Sequence, residues 1–412
     1  MSRVELCLAS PSFLPLVGGG QTRFARYAPG LKERGISIEI FSGTPKAKKM
    51  PGEDAREAWR ETRPGARLPS TYLGDVPVHR IRTQDRGPLR THTFGRGLVA
   101  HCRSAVPRPE VLQWVAGLRP GFAPWLRKLR SGGMRTLYAL TIAPRPRNSR
   151  LRQAWEAARL RHLYREFDCI VANAESGRSL LRDLGVMGRI EVIPNGVDLD
   201  RFRPVAGPEE RRAVRASLGL APERRVIVAV GTVSPRKGSD LLLEAWSKLA
   251  HARSDLDLVF VGTRKDHMHE ELGGFQRRIE HLLVASGAQE RVHFTGYVSH
   301  VEAYLRAADV CVLASDREGS PNSILEAMAT QIPVLATPFH GISTEIGVPG
   351  RQFALCDRNP EALALNLERL LHGSRFASEL AAAGHGFVIR EMSLARSLDA
   401  FANLYREYAK RG

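Results

Sequence analysis

Short runs of almost uninterrupted apolar residues recur along this chain, each followed by a segment of helical spacing. VELCLAS (4–10), ISIEIF (36–41), RTLYALTIA (135–143), DCIVANA (168–174) and RIEVIPNG (189–196) form a first series. VIVAVG (226–231), LDLVFVG (256–262), RVHFTG (291–296), VCVLAS (310–315) and PVLAT (333–337) form a second. A strand that is apolar on both faces must be covered on both, the condition of a parallel sheet flanked by helices. The alternation predicts an α/β protein with two facing Rossmann-like domains. At 412 residues the chain exceeds what one core usually organises, which also argues for two domains.

The first unit opens as strand, loop, helix, strand. PSFLPLVGGGQ (11–21) reads as a loop carrying Gly18, Gly19 and Gly20. TRFARYAPGLKERG (22–35) has helical spacing at Phe24, Tyr27, Ala28 and Leu31, and Gly35 ends it. Residues 45–110 are rich in Pro, Gly and Arg, show little pattern and read as long loops. NGVDLDRFRP (195–204) reads as the exit from the first domain, with Asn195-Gly196 turning the chain. In the second unit SDLLLEAWSKLA (239–250) presents Leu241, Leu242, Ala245, Trp246 and Leu249 on one face. The expected boundaries are 1–200, 201–390 and a closing amphipathic helix over 391–412 that needs a surface to cover.

EGSPNSILE (318–326) places two glutamates eight positions apart across the turn and helix that follow VCVLAS. Ser320 suits an N-cap and Pro321 the first helical position. The amides of Gly319, Ser320, Asn322 and Ser323 then face outward at the positive end of a helix, an anion site. Glu318 precedes the helix mouth; Glu326 lies ~8 Å further along at 1.5 Å per residue. Carboxylates only accept hydrogen bonds, so hydroxyl pairs are their natural partners. A diphosphate flanked by two sugars fits this arrangement. GTVSPRKGSD (231–240) puts Arg236 and Lys237 in a second strand-to-helix turn, where cations can meet phosphates.

These segments resemble glycosyltransferase family 4, retaining enzymes of the GT-B fold. EGSPNSILEAMA resembles the family's E-x7-E motif, VIPNGVDLDRF its interdomain signature, VGTVSPRKG its donor-phosphate turn and GGGQ its N-terminal glycine-rich loop. FTGYVS and ATPFHGISTEI follow in family order. The resemblance implies an N-terminal acceptor domain, a C-terminal donor domain, a deep cleft between them and a final helix crossing back to the first domain. It implies transfer of a sugar from a UDP- or GDP-sugar to a hydroxyl with retention, without a metal or other cofactor. Glu326 would hold the ribose, and Glu318 would meet the donor sugar and the charge growing at its anomeric carbon. Arg236 and Lys237 would neutralise the diphosphate as it leaves. Gly18–Gly20 would approach the phosphates, with Gly231 and Thr232 lining the turn. Residues 319–323 would line the sugar-phosphate side, Pro321 with its carbonyl and ring alone. The base would lie near Gly296, Tyr297 and Val298.

Two positions depart from the family pattern. Thr232 stands where an Arg is usual, with Arg236 close enough in sequence to replace it. Thr141 stands where many members carry a His near the donor sugar; His340 and His101 are the histidines considered for the acceptor side. A nucleotide-sugar epimerase of the same fold and a non-catalytic scaffold binding nucleotide sugar or membrane are the alternative readings.

Net charge of +18 bears on partners. Between Arg119 and Arg165 twelve basic residues face one acid, Glu156, with Phe122, Trp125, Leu126 and Trp155 interleaved. A solvated arginine-rich surface accounts for this, and so does a face that docks on anionic lipid, where a lipid-linked acceptor would be met. No nucleic-acid module is legible. Five scattered cysteines without metal or disulfide spacing point to a reducing cytosol. VELCLAS reads as a strand and not a signal peptide, and no apolar run approaches the roughly 20 residues of a membrane span. The expected location is cytoplasmic, peripheral on the membrane if the basic face docks there. Glycolipid, cell-surface polysaccharide and secondary-metabolite assembly all fit.

Overall fold

Each of the apolar runs becomes a strand in a computed structural model, which describes residues 4–13, 19–44, 57, 61–68, 70–84, 87–115, 118–140, 150–264, 270–318, 321–339, 344–373 and 375–410. The chain divides into two units. One comprises Met1–Asn195 with Ala395–Gly412, the other Gly196–Leu394. Gly18, Thr141, Gly319, Ser320 and His340 lie outside the described residues.

In the first unit the described elements are β1 (Val4–Ser10), α1 (Gly19–Glu33), β2 (Ile36–Gly43), β3 (Thr71–Leu73), β4 (Val76–Ile81), α2 (Gly87–Ser104), β5 (Val111–Val115), α3 (Ala123–Arg130), β6 (Arg135–Ala139), α4 (Arg150–Tyr164), β7 (Cys169–Ala172), α5 (Glu175–Asp183) and β8 (Arg189–Val192). The sheet runs β3-β4-β2-β1-β5-β6-β7-β8. Only the β3–β4 pair is antiparallel. Val4 pairs with Ile36 on one side of β1 and Leu6 with Val111 on the other, so β1 is central, and every residue but half-buried Glu5 is buried, as its composition requires.

Three expectations for this unit need correction. Gly19 and Gly20 open α1 instead of closing a loop. Residues 45–110 contain β3, β4 and the 18-residue α2. The buried face of α2 mixes Phe94, Leu98, Val99 and Cys102, at helical spacing, with Thr91, Thr93, Gly95 and Gly97, which dilute the apolar pattern. Small residues are needed there: a Cβ on Gly95 would overlap the Trp125 ring, and one on Gly97 the Gly65 carbonyl oxygen. Finally, Phe122 and Leu126 are core, 1% and 0% exposed, and do not line a lipid-facing surface. Phe122, Leu126 and Leu129 recur at helical spacing, which turns them inward and leaves Arg127 and Lys128 outside.

The second unit carries α6 (Pro208–Ser217), β9 (Arg225–Val230), α7 (Ser239–Ala250), β10 (Leu256–Val261), α8 (Glu270–Ser286), β11 (Val292–Phe294), α9 (Val301–Ala307), β12 (Val310–Leu313), α10 (Asn322–Ala329), β13 (Val334–Ala336), β14 (Ala354–Leu355), α11 (Pro360–Leu371) and α12 (Arg375–Glu391). Its sheet is wholly parallel, in the order β11-β10-β9-β12-β13-β14. One face packs Leu242, Leu243, Trp246 and Leu249 of α7 against Ile227, Leu258 and Phe260. The other packs Ile324, Leu325 and Met328 of α10 against Val228, Val259 and Leu313. Alternate residues of one strand therefore serve opposite cores.

Helix α13 (Leu394–Ala409) belongs, from Ala395 onward, to the first unit. Phe401 meets Phe24 at 5.6 Å and Tyr27 at 5.8 Å between ring centroids, and Tyr405 donates to Gln113 Oε1 at 3.2 Å. Arg189 grips Glu407 with two hydrogen bonds of 2.6 and 2.9 Å. The apolar stripe of the last helix thus has its surface. Among the described residues no helix is long and apolar enough to cross a membrane.

Candidate functional site

In the second sheet the chain runs outward from β9 to β10 and β11, then returns to place β12 on the other side of β9. The strand order reverses between β9 and β12, and the crevice past their carboxyl ends is where open α/β sheets bind ligands. The two sequence segments singled out for chemistry, 231–240 and 318–326, begin in the turns that leave those two strands.

Backbone contacts weld the turns together. Pro235–Lys237 forms a single 3₁₀ turn that closes on Gly238 at φ 62°. A Cβ on Gly238 would overlap the Ala314 carbonyl oxygen, so glycine is required both for the dihedral and for the approach. The Asp316 amide donates to the Arg236 carbonyl at 3.0 Å. Arg358, just before α11, donates from Nε to the Ala314 carbonyl at 3.0 Å and from a terminal nitrogen to the Pro235 carbonyl at 3.3 Å. One guanidinium therefore spans both turns.

On this frame Glu318 Oε1 receives three donors: Ser315 Oγ at 2.6 Å, Lys237 Nζ at 2.8 Å and Arg236 at 3.1 Å. Glu318 is 9% exposed, Lys237 16% and Arg236 42%. Two cations on one carboxylate leave one positive charge at the crevice. Arg236 also donates to the Arg317 carbonyl at 2.8 Å, which fixes its fork. Lys237 folds over Gly231 (φ 133°), whose missing Cβ would lie 2.8 Å from Lys237 Cε. Ser315 is itself held, its carbonyl accepting from Thr337 Oγ1 at 3.1 Å.

Helix α10 begins at Asn322, and Pro321 is its N-cap residue, with φ −81° and ψ 68°. The expected cap at Ser320 with Pro321 as first helical residue is thereby corrected. A ψ of 68° takes Pro321 out of the helical region while its carbonyl accepts the first helical hydrogen bond, from Ile324 N at 2.9 Å. Asn322 is exposed and Ser323 buried. Glu326 is the fifth helical residue, half-buried between core neighbours Leu325 and Ala327. Burial pushes the Cys311 thiol up to about 12; the Glu326 carboxylate adds to the rise and the Lys237 ammonium opposes it. Both charges therefore act on the same buried sulfur of β12.

The remaining expected residues fall in different places. Thr232 is half-buried beside Gly231, and its carbonyl accepts from Ser234 Oγ at 3.2 Å. Gly231, Gly262 and Gly296 end neighbouring strands, with Gly262 and Gly296 bridged to each other. Tyr297 beyond them is 73% exposed, whereas Val298 packs on the β12 core. Gly19 and Gly20 lie in the first unit, at the start of α1 after β1. His101 lies in that unit on α2, 3.0 Å from Glu39 and tilted against Phe41 at 4.4 Å between ring centroids, which accounts for it structurally. Ser315 and Arg358 escaped the sequence reading. Ser315 is marked only as the small residue ending VCVLAS. Arg358 is marked by the Asn359-Pro360 helix start, where Asn359 caps the Ala362 amide at 2.8 Å. Among the described residues no group of His, Cys, Asp and Glu could hold a metal ion.

A family profile described as Glycosyltransferase Family 4 matches residues 17–201, and one described as Glycosyl transferases group 1 matches residues 224–373. D-inositol 3-phosphate glycosyltransferase of Segniliparus rotundus is 27% identical over 89% of this chain and 83% of its own length. Other relatives align over shorter stretches, 61% and 42% of their own length. Among solved structures, sucrose-phosphate synthase from Thermosynechococcus elongatus covers all of both chains at a TM-score of 0.76 and 21% identity. Anabaena HepE in complex with UDP-glucose covers 98% of this chain and all of its own, at 0.73 and 16%. These likenesses show the fold. Two profiles that together span most of the sequence, on a GT-B fold of two parallel-sheet Rossmann-like domains, place the chain in glycosyltransferase family 4.

Proposed function

We propose that the protein transfers a sugar from a nucleoside-diphosphate sugar to an acceptor hydroxyl, with retention at the anomeric carbon, and that its second unit binds the donor. The observation that carries this reading is the cluster of Lys237, Arg236 and Glu318 across the ends of β9 and β12, beside the N-terminus of α10. The surplus positive charge and the helix terminus together suit a diphosphate. As the glycosidic bond to that diphosphate breaks, negative charge grows on the leaving phosphate, and Lys237 and Arg236 stabilise it without a metal. Glu318, already held at one oxygen by three donors, keeps its other oxygen for the sugar hydroxyls and the positive charge developing at the anomeric carbon. Glu326 accepts from the ribose hydroxyls. The departing phosphate takes the acceptor proton, so no protein base is required. HepE, a structural neighbour, is described in complex with UDP-glucose, which makes that sugar nucleotide the first donor to test.

The test is a panel of UDP- and GDP-sugars read by thermal shift, followed by product assays on each hit. A donor that raises Tm in the wild type and fails to do so in Lys237→Ala and Glu326→Ala supports the site. Equal stabilisation of all three proteins rejects it.

A further inference from the structure

At the opposite end of the same two strands lies a cavity of about 600 Å³ in the second unit, lined by Arg211, Arg212, Arg215, Arg225, Asp309 and Gln331 among others. Asp309 precedes β12 and Arg225 opens β9, so the cavity sits past the amino ends of those strands. β9 is six residues long, which at about 3.3 Å per residue puts some 20 Å between this cavity and the Lys237–Glu318 pair. The two places cannot share one small ligand.

The charge here does not balance. Asp309 is 8% exposed and serves three guanidinium groups: Arg215 at 2.6 Å, Arg225 at 3.0 Å and Arg211 at 3.7 Å. One of its oxygens also accepts the Val226 amide at 2.7 Å. Arg212 has acids of its own, Glu209 at 2.6 Å and Glu223 at 3.9 Å. Counted together, the four arginines face three carboxylates, Asp309, Glu209 and Glu223, the last of which also lines the cavity, and one positive charge is left over.

The arginines differ in what they have left to give. Arg215 is spent structurally, since its three nitrogens donate to Ala307, Pro222 and Asp309. Arg211 commits one nitrogen to the Ala308 carbonyl at 3.0 Å, and Arg225 one to Asp309. The forks of both therefore have further donors for a ligand, and both line the cavity. Gln331 stands at the rim with φ 58°, the one non-glycine residue among those described with a positive φ. It is exposed and closes the C-terminus of α10, its amide bonded to the Met328 carbonyl at 3.0 Å. Gln331 adds no charge to that rim, where Glu223 is the exposed acid and serves Arg212.

We propose that this cavity is a second ligand site, separate from the donor site, that takes a phosphomonoester dianion through Arg211 and Arg225. The surplus is positive, and the free guanidinium forks of Arg211 and Arg225 match phosphate oxygens. The inference does not depend on the sugar-transfer reading, because no residue of the Lys237–Glu318 cluster takes part.

The experiment titrates inorganic phosphate into the full chain by calorimetry in a phosphate- and sulfate-free buffer. Wild type, Lys237→Ala and the double variant Arg211→Gln/Arg225→Gln are compared. Saturable binding retained in Lys237→Ala and weakened at least tenfold in the double variant supports the site. Binding that is absent in wild type, or unchanged in the double variant, overturns it. Since Arg215 still pairs with Asp309 in the double variant, an unaltered Tm confirms that its fold is intact. Should that variant unfold, Gln331→Glu on the exposed rim serves instead: an added carboxylate must weaken phosphate binding, and no change overturns the proposal. A parallel arm sediments the proteins with phosphatidylcholine vesicles containing phosphatidic acid. Vesicle binding that falls with phosphate binding in the double variant identifies a lipid headgroup as source. Unchanged vesicle binding beside lost phosphate binding identifies a soluble phosphomonoester.

Discussion

Lys237 Nζ lies 2.8 Å from Glu318 Oε1, although 81 positions separate the two residues and each leaves a different strand. The pair exists because β9 and β12 are neighbours in the sheet, which no local pattern reveals. Its chemistry follows from burial. With both side chains mostly covered, the lysine can be drawn to an incoming phosphate only at the cost of a strong charge-assisted hydrogen bond. Glu318→Gln should therefore loosen Lys237. Donor affinity should change by less than about threefold while turnover falls at least 100-fold, because the charge facing the anomeric carbon is gone. Steady-state kinetics with the donor identified by thermal shift gives both numbers; an unchanged kcat rejects the role given to Glu318.

Lys237→Ala should behave oppositely. Losing one charged hydrogen bond to a diphosphate is worth about 1.5–3 kcal/mol, which is a loss of about 10- to 160-fold in donor affinity. Calorimetry with the nucleoside diphosphate alone checks this without any acceptor. Glu326→Ala should weaken the nucleoside diphosphate too, through the ribose, yet leave affinity for inorganic pyrophosphate unchanged. Equal losses for both probes would remove Glu326 from the ribose.

Much of this was legible in the sequence, for physical reasons that differ from element to element. VELCLAS and VIVAVG are apolar on both faces, and only a covered parallel strand tolerates that; both are central strands. In EGSPNSILE the start of a helix could be read, although its cap falls on Pro321 and not on Ser320. Helix α2 was missed although Phe94, Leu98 and Cys102 recur at helical spacing, because Gly95 and Gly97, buried by close approach, interrupt the run with poor helix formers. Phe122 and Leu126 misled for a related reason: basic residues alternate with them in sequence, but helical winding puts the two kinds on opposite sides. Arg358 was invisible because its partners are backbone carbonyls of two other turns.

Gly30 is the contact point of α1 with α13. A Cβ there would lie 2.5 Å from Leu398 Cδ1, and no backbone strain is involved. Gly30→Val should cost about 1–3 kcal/mol through overpacking. Adding Leu398→Ala should return part of that stability, although Leu398→Ala alone destabilises. Urea denaturation of the four proteins tests the cycle; strictly additive losses would mean the helices do not meet at this glycine.

Glu39 on β2 offers a pH-dependent check of the first unit. Hydrogen bonds from His101, then His79, hold its carboxyl well below the usual carboxylate range against the opposing effect of burial. A depressed carboxylate stabilises the fold above its unfolded value, about 4.3, and that contribution fades as pH falls towards the folded one. Wild type should exceed Glu39→Gln in Tm by a steady margin between pH 5 and 6, and the margin should shrink below about pH 4. A margin that grows on acidification would contradict the pairing.

All five cysteines are buried and free. Burial pushes the Cys169 and Cys356 thiols up to about 11 and Cys311 to about 12, and Cys7 rises beside Cys102 as well. Only the thiolate attacks an alkylating agent, so at pH 8 a thiol of pKa 12 is ionised about one part in 10,000, against roughly a quarter for an ordinary cysteine. Iodoacetamide should therefore leave the native chain unmodified over hours, and all five sites should react together once urea unfolds it. Mass spectrometry of intact protein counts the adducts. Because Cys311 lies within reach of both Glu326 and Lys237, early labelling at Cys311 alone would show that the wall of the candidate site opens while the rest of the fold stays closed. That result would overturn the rigid frame on which the placement of Glu318 depends.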